Sequence, residues 1–187
     1  MNIIIFGPPG AGKGTQSKYL VKKINGFQIS TGDLLRDEIN KDSEIGKMII
    51  NDMNDGKFVS DEIVNKIIKK FIIGPQKKDQ LIFDGYPRSL SQAKNLDLLL
   101  DSSNQKINFI FFLNVNKDTI IKRIERRKIL EKRPDDDLNT SLKRYDAYME
   151  TTKPVLDFYS KNPNFHEIDG TLEINEITRK IDSFIDA

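Results

Sequence analysis

The run Gly7-Pro-Pro-Gly-Ala-Gly-Lys-Gly-Thr15 constrains this chain more than any other feature. It follows Ile3-Ile4-Ile5-Phe6, a continuous apolar run of strand length, and precedes a stretch in which Leu20 and Ile24 recur at helical spacing. A strand that feeds a helix through such a loop is built to hold phosphate. The glycines let backbone N–H groups curl around phosphate oxygens without a Cβ in the way, and the helix beginning near Lys13 aims the positive end of its dipole at the same anion. Lys13 adds a full charge. A plain turn between strand and helix requires neither the lysine nor this spacing. The general pattern places Ser or Thr directly after the lysine, whereas Gly14 intervenes here before Thr15, so the usual direct magnesium ligand is not to be assumed.

Short apolar runs alternate with longer amphipathic stretches along the rest of the chain, as in crossover units joining strands of a parallel sheet. Leu81 to Phe83 and Ile107 to Leu113 are continuous apolar runs, which predicts strands covered on both faces, and Phe27 to Ile29 and Phe165 to Ile168 are weaker candidates. The sets Ile63/Ile67/Phe71, Ile120/Ile121/Ile124 and Ile177/Ile181/Phe184 have the spacing of helices with one buried stripe. Asp61, Ser89 and Asn116 sit at expected N-caps. Two segments lack strands and read as inserts. Residues 30–60 predict short helices with Met48, Ile49 and Met53 on one face; residues 128–138 are polar and form a candidate lid. Leu142, Tyr145, Met149 and Leu156 then mark the face of a long helix containing Pro154.

Asp84 follows the strand Leu81–Phe83, at the carboxyl end where ligands of open α/β sheets bind, and is placed to orient magnesium through water. Its alternative reading is a turn-forming Asp-Gly pair. In Asp84-Gly85-Tyr86-Pro87-Arg88 the rigid turn also fixes an arginine at the mouth of the crevice. Arg36, Arg88, Arg123, Arg127, Arg133 and Arg144 lie on separate segments, each near a predicted edge of that crevice. Two nucleotides bring roughly six negative charges, if terminal phosphates carry about −1.5 to −2 each and bridging ones about −1. One lysine cannot balance them, so the arginines are read as a clamp. Closing the lid would carry arginines onto the phosphates and exclude water that competes with the acceptor. Arg126 and Lys132 read as solvated charges, and His166, the one histidine, as structural.

Composition excludes several classes. Among 187 residues, 30 are basic and 28 acidic, interspersed along the chain, with no polycationic tail or aromatic-basic platform for nucleic acid. No stretch approaches the ~20 apolar residues of a membrane span, and the first apolar run stops at Gly7, short of a signal-peptide core. There is no cysteine, hence no disulfide and no cysteine-ligated zinc. The cytoplasm is the expected location.

Taken together, Gly7 to Thr15, Ser-Thr-Gly-Asp-Leu-Leu-Arg (30–36), Asp-Gly-Tyr-Pro-Arg (84–88), Gln92 and Arg-Pro-Asp-Asp (133–136) resemble the adenylate kinases, in their short-lid form without zinc, along essentially the whole chain. The Gly-Lys-Gly-Thr ending is the one nucleoside monophosphate kinases use. The resemblance implies an α/β P-loop NTPase fold with a five-stranded parallel sheet in a single nucleotide kinase domain. Its core would span 1–29, 61–126 and 139–187, with an AMP-binding insert at 30–60 and a lid at 127–138. It implies a monomeric enzyme catalysing ATP + AMP to two ADP, reversibly and with Mg2+, whose partners are these nucleotides rather than nucleic acid or membrane.

By position, the resemblance gives ATP Gly10, Ala11, Gly12, Lys13, Gly14 and Thr15, with Arg123 and Arg127 from the lid side and backbone near Gly170 and Leu172 for its adenine. It gives AMP Thr31, Arg36, Lys57, Phe58, Val59, Gly85, Tyr86, Pro87, Arg88 and Gln92. Arg133 and Arg144 contact phosphates across the junction, and Lys13, Arg88, Arg123 and Arg127 join them as the catalytic set. Thr31 and Gln92 favour adenine, whereas the uridylate–cytidylate kinases carry Ala at the first position and an Asn-rich run after the arginine. The alternatives are a UMP/CMP kinase and a non-catalytic ATP sensor.

Overall fold

The computed structural model describes residues 1–131 and 138–187. Its centre is a parallel sheet of five strands: β1 (Asn2–Phe6), β2 (Phe27–Ser30), β3 (Leu81–Asp84), β4 (Ile107–Asn114) and β5 (Phe165–Asp169), in the order β2-β3-β1-β4-β5. Parallel neighbours cannot be joined by a tight turn, so every connection carries helix. α1 (Lys13–Ile24) links β1 to β2. Between β2 and β3 run α2 (Thr31–Asn40), α3 (Glu44–Asn54) and α4 (Asp61–Ile72); α5 (Leu90–Asp101) leads to β4; α6 (Lys117–Glu131) and α7 (Leu138–Tyr159) lie before β5, and α8 (Ile174–Ile185) follows it.

Side chains of a strand alternate between its faces, and here that alternation divides the core in two. Ile3 and Ile5 of β1, Ile82 of β3 and Phe111 and Leu113 of β4 pack with Leu20 of α1, Ile120 and Ile124 of α6, and Ile177 and Ile181 of α8. Ile4 and Phe6, Leu81 and Phe83, and Ile110 face the other way, onto Ile49 of α3, Ile68 and Ile72 of α4, Leu96 and Leu100 of α5, and Val155 and Tyr159 of α7. Both faces are covered, which is why the strand sequences are continuously apolar. Each fully buried Ile or Phe contributes about 1.5–3 kcal/mol, so the sheet is the part least able to move. The weaker candidates, β2 and β5, are the edge strands. His166 lies in β5 with its ring stacked on Phe184 at 4.0 Å, a packing role.

Three local expectations are corrected. Ser60, not Asp61, precedes α4; Asp61 is its first residue and accepts hydrogen bonds from Ser89 Oγ and Gln92 Nε2 instead. Met48 is 68% exposed while Ile49 and Met53 are buried, because the stripe of α3 runs through Gly46, Ile49 and Met53. The buried face of α7 is Ser141, Tyr148, Thr152, Val155 and Tyr159, turned away from Met149, and two of its members are small polar residues that apolar periodicity cannot register. Ser89 and Asn116 do cap, accepting from the N–H of Gln92 and of Thr119.

Candidate active site

The register Ile5↔Asp84 and Ser30↔Asp84 sets the carboxyl ends of β1, β3 and β2 side by side, so Gly7, Asp84 and Thr31 emerge at one edge. Above it opens a cleft of about 570 Å3. Its floor is the loop from Gly10 to Thr15. Gly12, at φ 94°, is the residue before α1; nothing lies within 4 Å of where its Cβ would be, so backbone conformation rather than crowding demands glycine there. As an N-cap it supplies no capping side chain; Thr15 N–H donates to Gly12 O at 3.1 Å, and the N–H groups at the very start of α1 are left to an anion. Lys13 Nζ bends back to donate to Gly7 O at 2.7 Å and Pro8 O at 3.1 Å. Burial draws its pKa down to about 8; Asp84 opposes that shift, and the charges of Arg88 and Arg127 add to it.

Asp84 lies against the loop: a Cβ on Gly14 would sit 3.6 Å from its Oδ2. Gln28 Nε2 donates to that oxygen at 3.0 Å and fixes the carboxyl group. Burial raises the Asp84 pKa, against the lowering influence of Lys13 and Arg88. Beyond it, Gly85 takes φ 76°, and a side chain there would reach within 2.9 Å of Arg88 Nη2 and 3.0 Å of Thr31 Oγ1. The turn continues through a cis Tyr86–Pro87 bond. Arg88 is held at several points. Its Nε donates to Gly85 O at 2.7 Å, its N–H to Gln92 Oε1 at 2.7 Å, and its carbonyl accepts from Thr152 Oγ1 at 3.3 Å. Burial lowers its pKa to about 10; Asp84 resists the shift and Arg144 furthers it.

The other cations enter from separate elements. Arg123 and Arg127 stand one turn apart on α6, half-buried at the cleft, and Arg123 Nη1 donates to Ala11 O at 3.4 Å. Arg126 also borders the cleft but is exposed. Arg144 of α7 donates to Met53 O at 3.3 Å and so bridges to α3. Arg36 of α2 pairs with Asp33. Lys57, Phe58, Val59, Pro87 and Leu172 complete the expected residues on the walls.

Four expected residues lie behind the walls. Thr31 is buried and donates to Gly85 O at 2.9 Å. Tyr86 is buried, its hydroxyl donating to Asn65 Oδ1 at 2.7 Å and accepting from Asn95 Nδ2 at 3.2 Å. Gln92 is buried with both ends of its amide engaged, Oε1 by Arg88 and Nε2 donating to Asp61 Oδ1 at 2.7 Å. Gly170 donates to Asn114 O at 2.8 Å, and a Cβ there would come within 2.5 Å of Val115 Cγ2. Arg133 and half of the expected lid, residues 132–137, lie outside the described residues.

Gln28, Tyr148 and Thr152 also line the cleft and were not expected there. Gln28 carries a signal, being a polar residue inside the apolar Phe27-Gln28-Ile29 run. Tyr148 and Thr152 follow Arg144 at successive four-residue steps, the spacing of one helix face. Among the described residues, no three His, Cys, Asp or Glu side chains cluster in a way that would cage a metal ion.

A phosphate loop, a carboxylate and guanidinium groups from four elements around one cleft suit two polyphosphates met end to end. Comparison with known proteins agrees. A family model described as adenylate kinase matches residues 5–164. The chain is 48% identical to an adenylate kinase of Pelagibacter ubique over 211 aligned positions, covering 99% of each chain. It is 40% identical to one of Mycoplasma capricolum, covering 90% of this chain and 91% of that one, and 38% identical to one of Caulobacter vibrioides, covering 100% and 97%.

Proposed function

This chain belongs to the adenylate kinase family, whose reaction is ATP + AMP to two ADP, and from that premise we propose how its residues divide the work. The observation that carries the reading is the convergence of Lys13, Arg36, Arg88, Arg123, Arg127 and Arg144 on one cleft from the loop, α2, the β3 turn, α6 and α7. The loop from Gly10 to Thr15 holds the ATP phosphates with its backbone N–H groups, and Arg123 and Arg127 meet them from above. Arg36, Arg88 and Arg144 hold the AMP phosphate on the opposite side. Phosphoryl transfer is mostly positioning and neutralisation, because the charge spreads over equatorial oxygens, and an in-place arginine is worth about 10³–10⁵ in rate in related systems. Lys13 leaves the carbonyls of Gly7 and Pro8 for the bound phosphates, exchanging two neutral acceptors for charged ones.

The donor set at Asp84 fits magnesium. A hard cation that prefers oxygen and keeps much of its water is commonly held by one or two carboxylates together with substrate phosphates, and Asp84 is the carboxylate beside the loop. Asp84 would hold such an ion, which would supply neutralisation of the charge developing on the phosphates. Gln28, by donating to Oδ2, would hold the Asp84 carboxylate in place for the ion.

Residues 30–60 form the AMP-binding insert and 127–138 the lid, Arg133 acting from the latter. Adenine of ATP rests on the backbone near Gly170 and Leu172, and AMP on Thr31, Lys57 to Val59, the Gly85–Arg88 turn and Gln92. For Gln92 to read adenine, its amide must exchange the partners it holds, Arg88 N–H and Asp61. The enzyme works as a cytoplasmic monomer. The acceptor assignment is tested by offering AMP, UMP and CMP under identical ATP and magnesium. AMP is to turn over fastest, since a site built to hydrogen-bond one base strands buried polar groups with another; faster UMP turnover would return the uridylate–cytidylate reading.

A further inference from the structure

Phe58 has a role that its backbone position does not describe. The Arg88 guanidinium carbon stands 4.7 Å from the centre of the Phe58 ring, within the distance at which a cation is attracted by the ring quadrupole. The two residues come from different parts of the fold: Phe58 lies between α3 and α4, and Arg88 in the turn after β3. Nothing in the local chain forces them together.

We propose that the Phe58 ring is a positioning shelf for Arg88, holding the guanidinium by its face so that its N–H edge is presented to the acceptor phosphate. The geometry divides the guanidinium between partners that do not compete. The guanidinium carbon lies over the Phe58 ring, and Gly85 O takes Nε–H at 2.7 Å. Among the described residues, neither Nη1 nor Nη2 of Arg88 donates a hydrogen bond, and these are the atoms that pair with phosphate in a bidentate fork. A carboxylate holding the arginine from the same side would occupy that fork and have to be displaced. An aromatic face restricts the long side chain without occupying it, and this lowers the ordering cost when substrate binds. The backbone of Arg88 is already fixed by Gln92 and Thr152, so the ring restrains the remaining freedom of the side chain.

The inference rests on Arg88 serving the acceptor phosphate, and its test separates the two claims. Phe58→Leu keeps an apolar, half-buried side chain but removes the π face, and Phe58→Trp keeps the face. Isotope-edited NMR of substrate-free protein should show Arg88 side-chain protons shifted upfield by the ring, with a restrained Nε–H, in the wild type and in Phe58→Trp but not in Phe58→Leu. In steady-state assays Phe58→Leu should lose between about 3-fold and 10-fold in kcat/KM for AMP, with KM for ATP unchanged and the melting temperature close to wild type; Phe58→Trp should recover most of the loss. Equal losses in both variants, or no ring shift at Arg88 in the wild type, would overturn the shelf. A wild-type protein that shows the NMR signature but does not phosphorylate AMP would leave the contact standing and remove the assigned reaction instead.

Discussion

Lys13 is where the local chemistry is most exposed to experiment. Its folded-state pKa of about 8 lies below the ordinary lysine value of 10.5, because burial disfavours the ammonium. Between those two values the unfolded chain binds a proton that the folded one does not, so Lys13's contribution to stability rises with pH across that window. Phosphate binding runs the other way. The loop needs the protonated lysine, so the affinity of the free protein for ATP, followed by calorimetry across pH, should begin to fall above about pH 8, by close to tenfold per unit; a profile flat to pH 10 would show that Lys13 is not shifted. Lys13→Ala and Arg88→Ala should each lower turnover by about 10² or more with the melting transition retained, since they face developing phosphate charge rather than the core. At this scale the loop, Asp84 and the arginines were legible in sequence, because a glycine-lysine run and cations on separate segments around one predicted crevice have few other uses. Gln92 was legible as a residue but not as a contact. Whether its amide faces a base or its neighbours depends on Asp61 and Arg88, which only the folded chain brings to it.

Helices were harder to read than strands. The continuous apolar runs became β1, β3 and β4 because burial on both faces leaves little room for polar residues, whereas a helix shows only one stripe, which can be rotated by small or polar members. The face of α7 went astray on Ser141 and Thr152, and that of α3 on Met48. Gly46 explains the second case. A Cβ there would lie 2.2 Å from the carbonyl oxygen of Glu38 and 2.7 Å from its carbon, so α2 and α3 cross where the smaller residue permits it. Backbone cannot yield as a flexible side chain would. Gly46→Ala should therefore destabilise the protein by about 1–3 kcal/mol, measured by urea denaturation, and raise KM for AMP more than KM for ATP, because the crossing lies in residues 30–60; equal effects on both substrates would detach that insert from the acceptor site. Ser89 is the parallel case at α5, capping Gln92 N–H while donating to Asp61. Ser89→Ala should cost about 1 kcal/mol, read in the same denaturation series.

Over the whole molecule, the sheet fixes one edge and the connections bring charge to it. The cations lie on elements that can approach one another only as bodies: α2 and α3 joined to α7 through Arg144 and Met53, and α6 over the loop through Arg123 and Ala11. Bringing both phosphate chains between them neutralises repulsion among the arginines, so a bisubstrate mimic should reduce the radius of gyration in small-angle scattering. An unchanged radius would count against closure. The bounds expected for a lid were only partly legible, because α6 runs on to Glu131 and α7 begins at Leu138, so helix reaches into the segment whose polarity marked it. The central claim, that these cations set two polyphosphates end to end for transfer between them, is tested most directly by giving the purified protein ADP and magnesium alone and following 31P resonances. Equimolar ATP and AMP should appear without orthophosphate, and Lys13→Ala should suppress both; AMP accompanied by orthophosphate in place of ATP, or no conversion of ADP, would contradict the account.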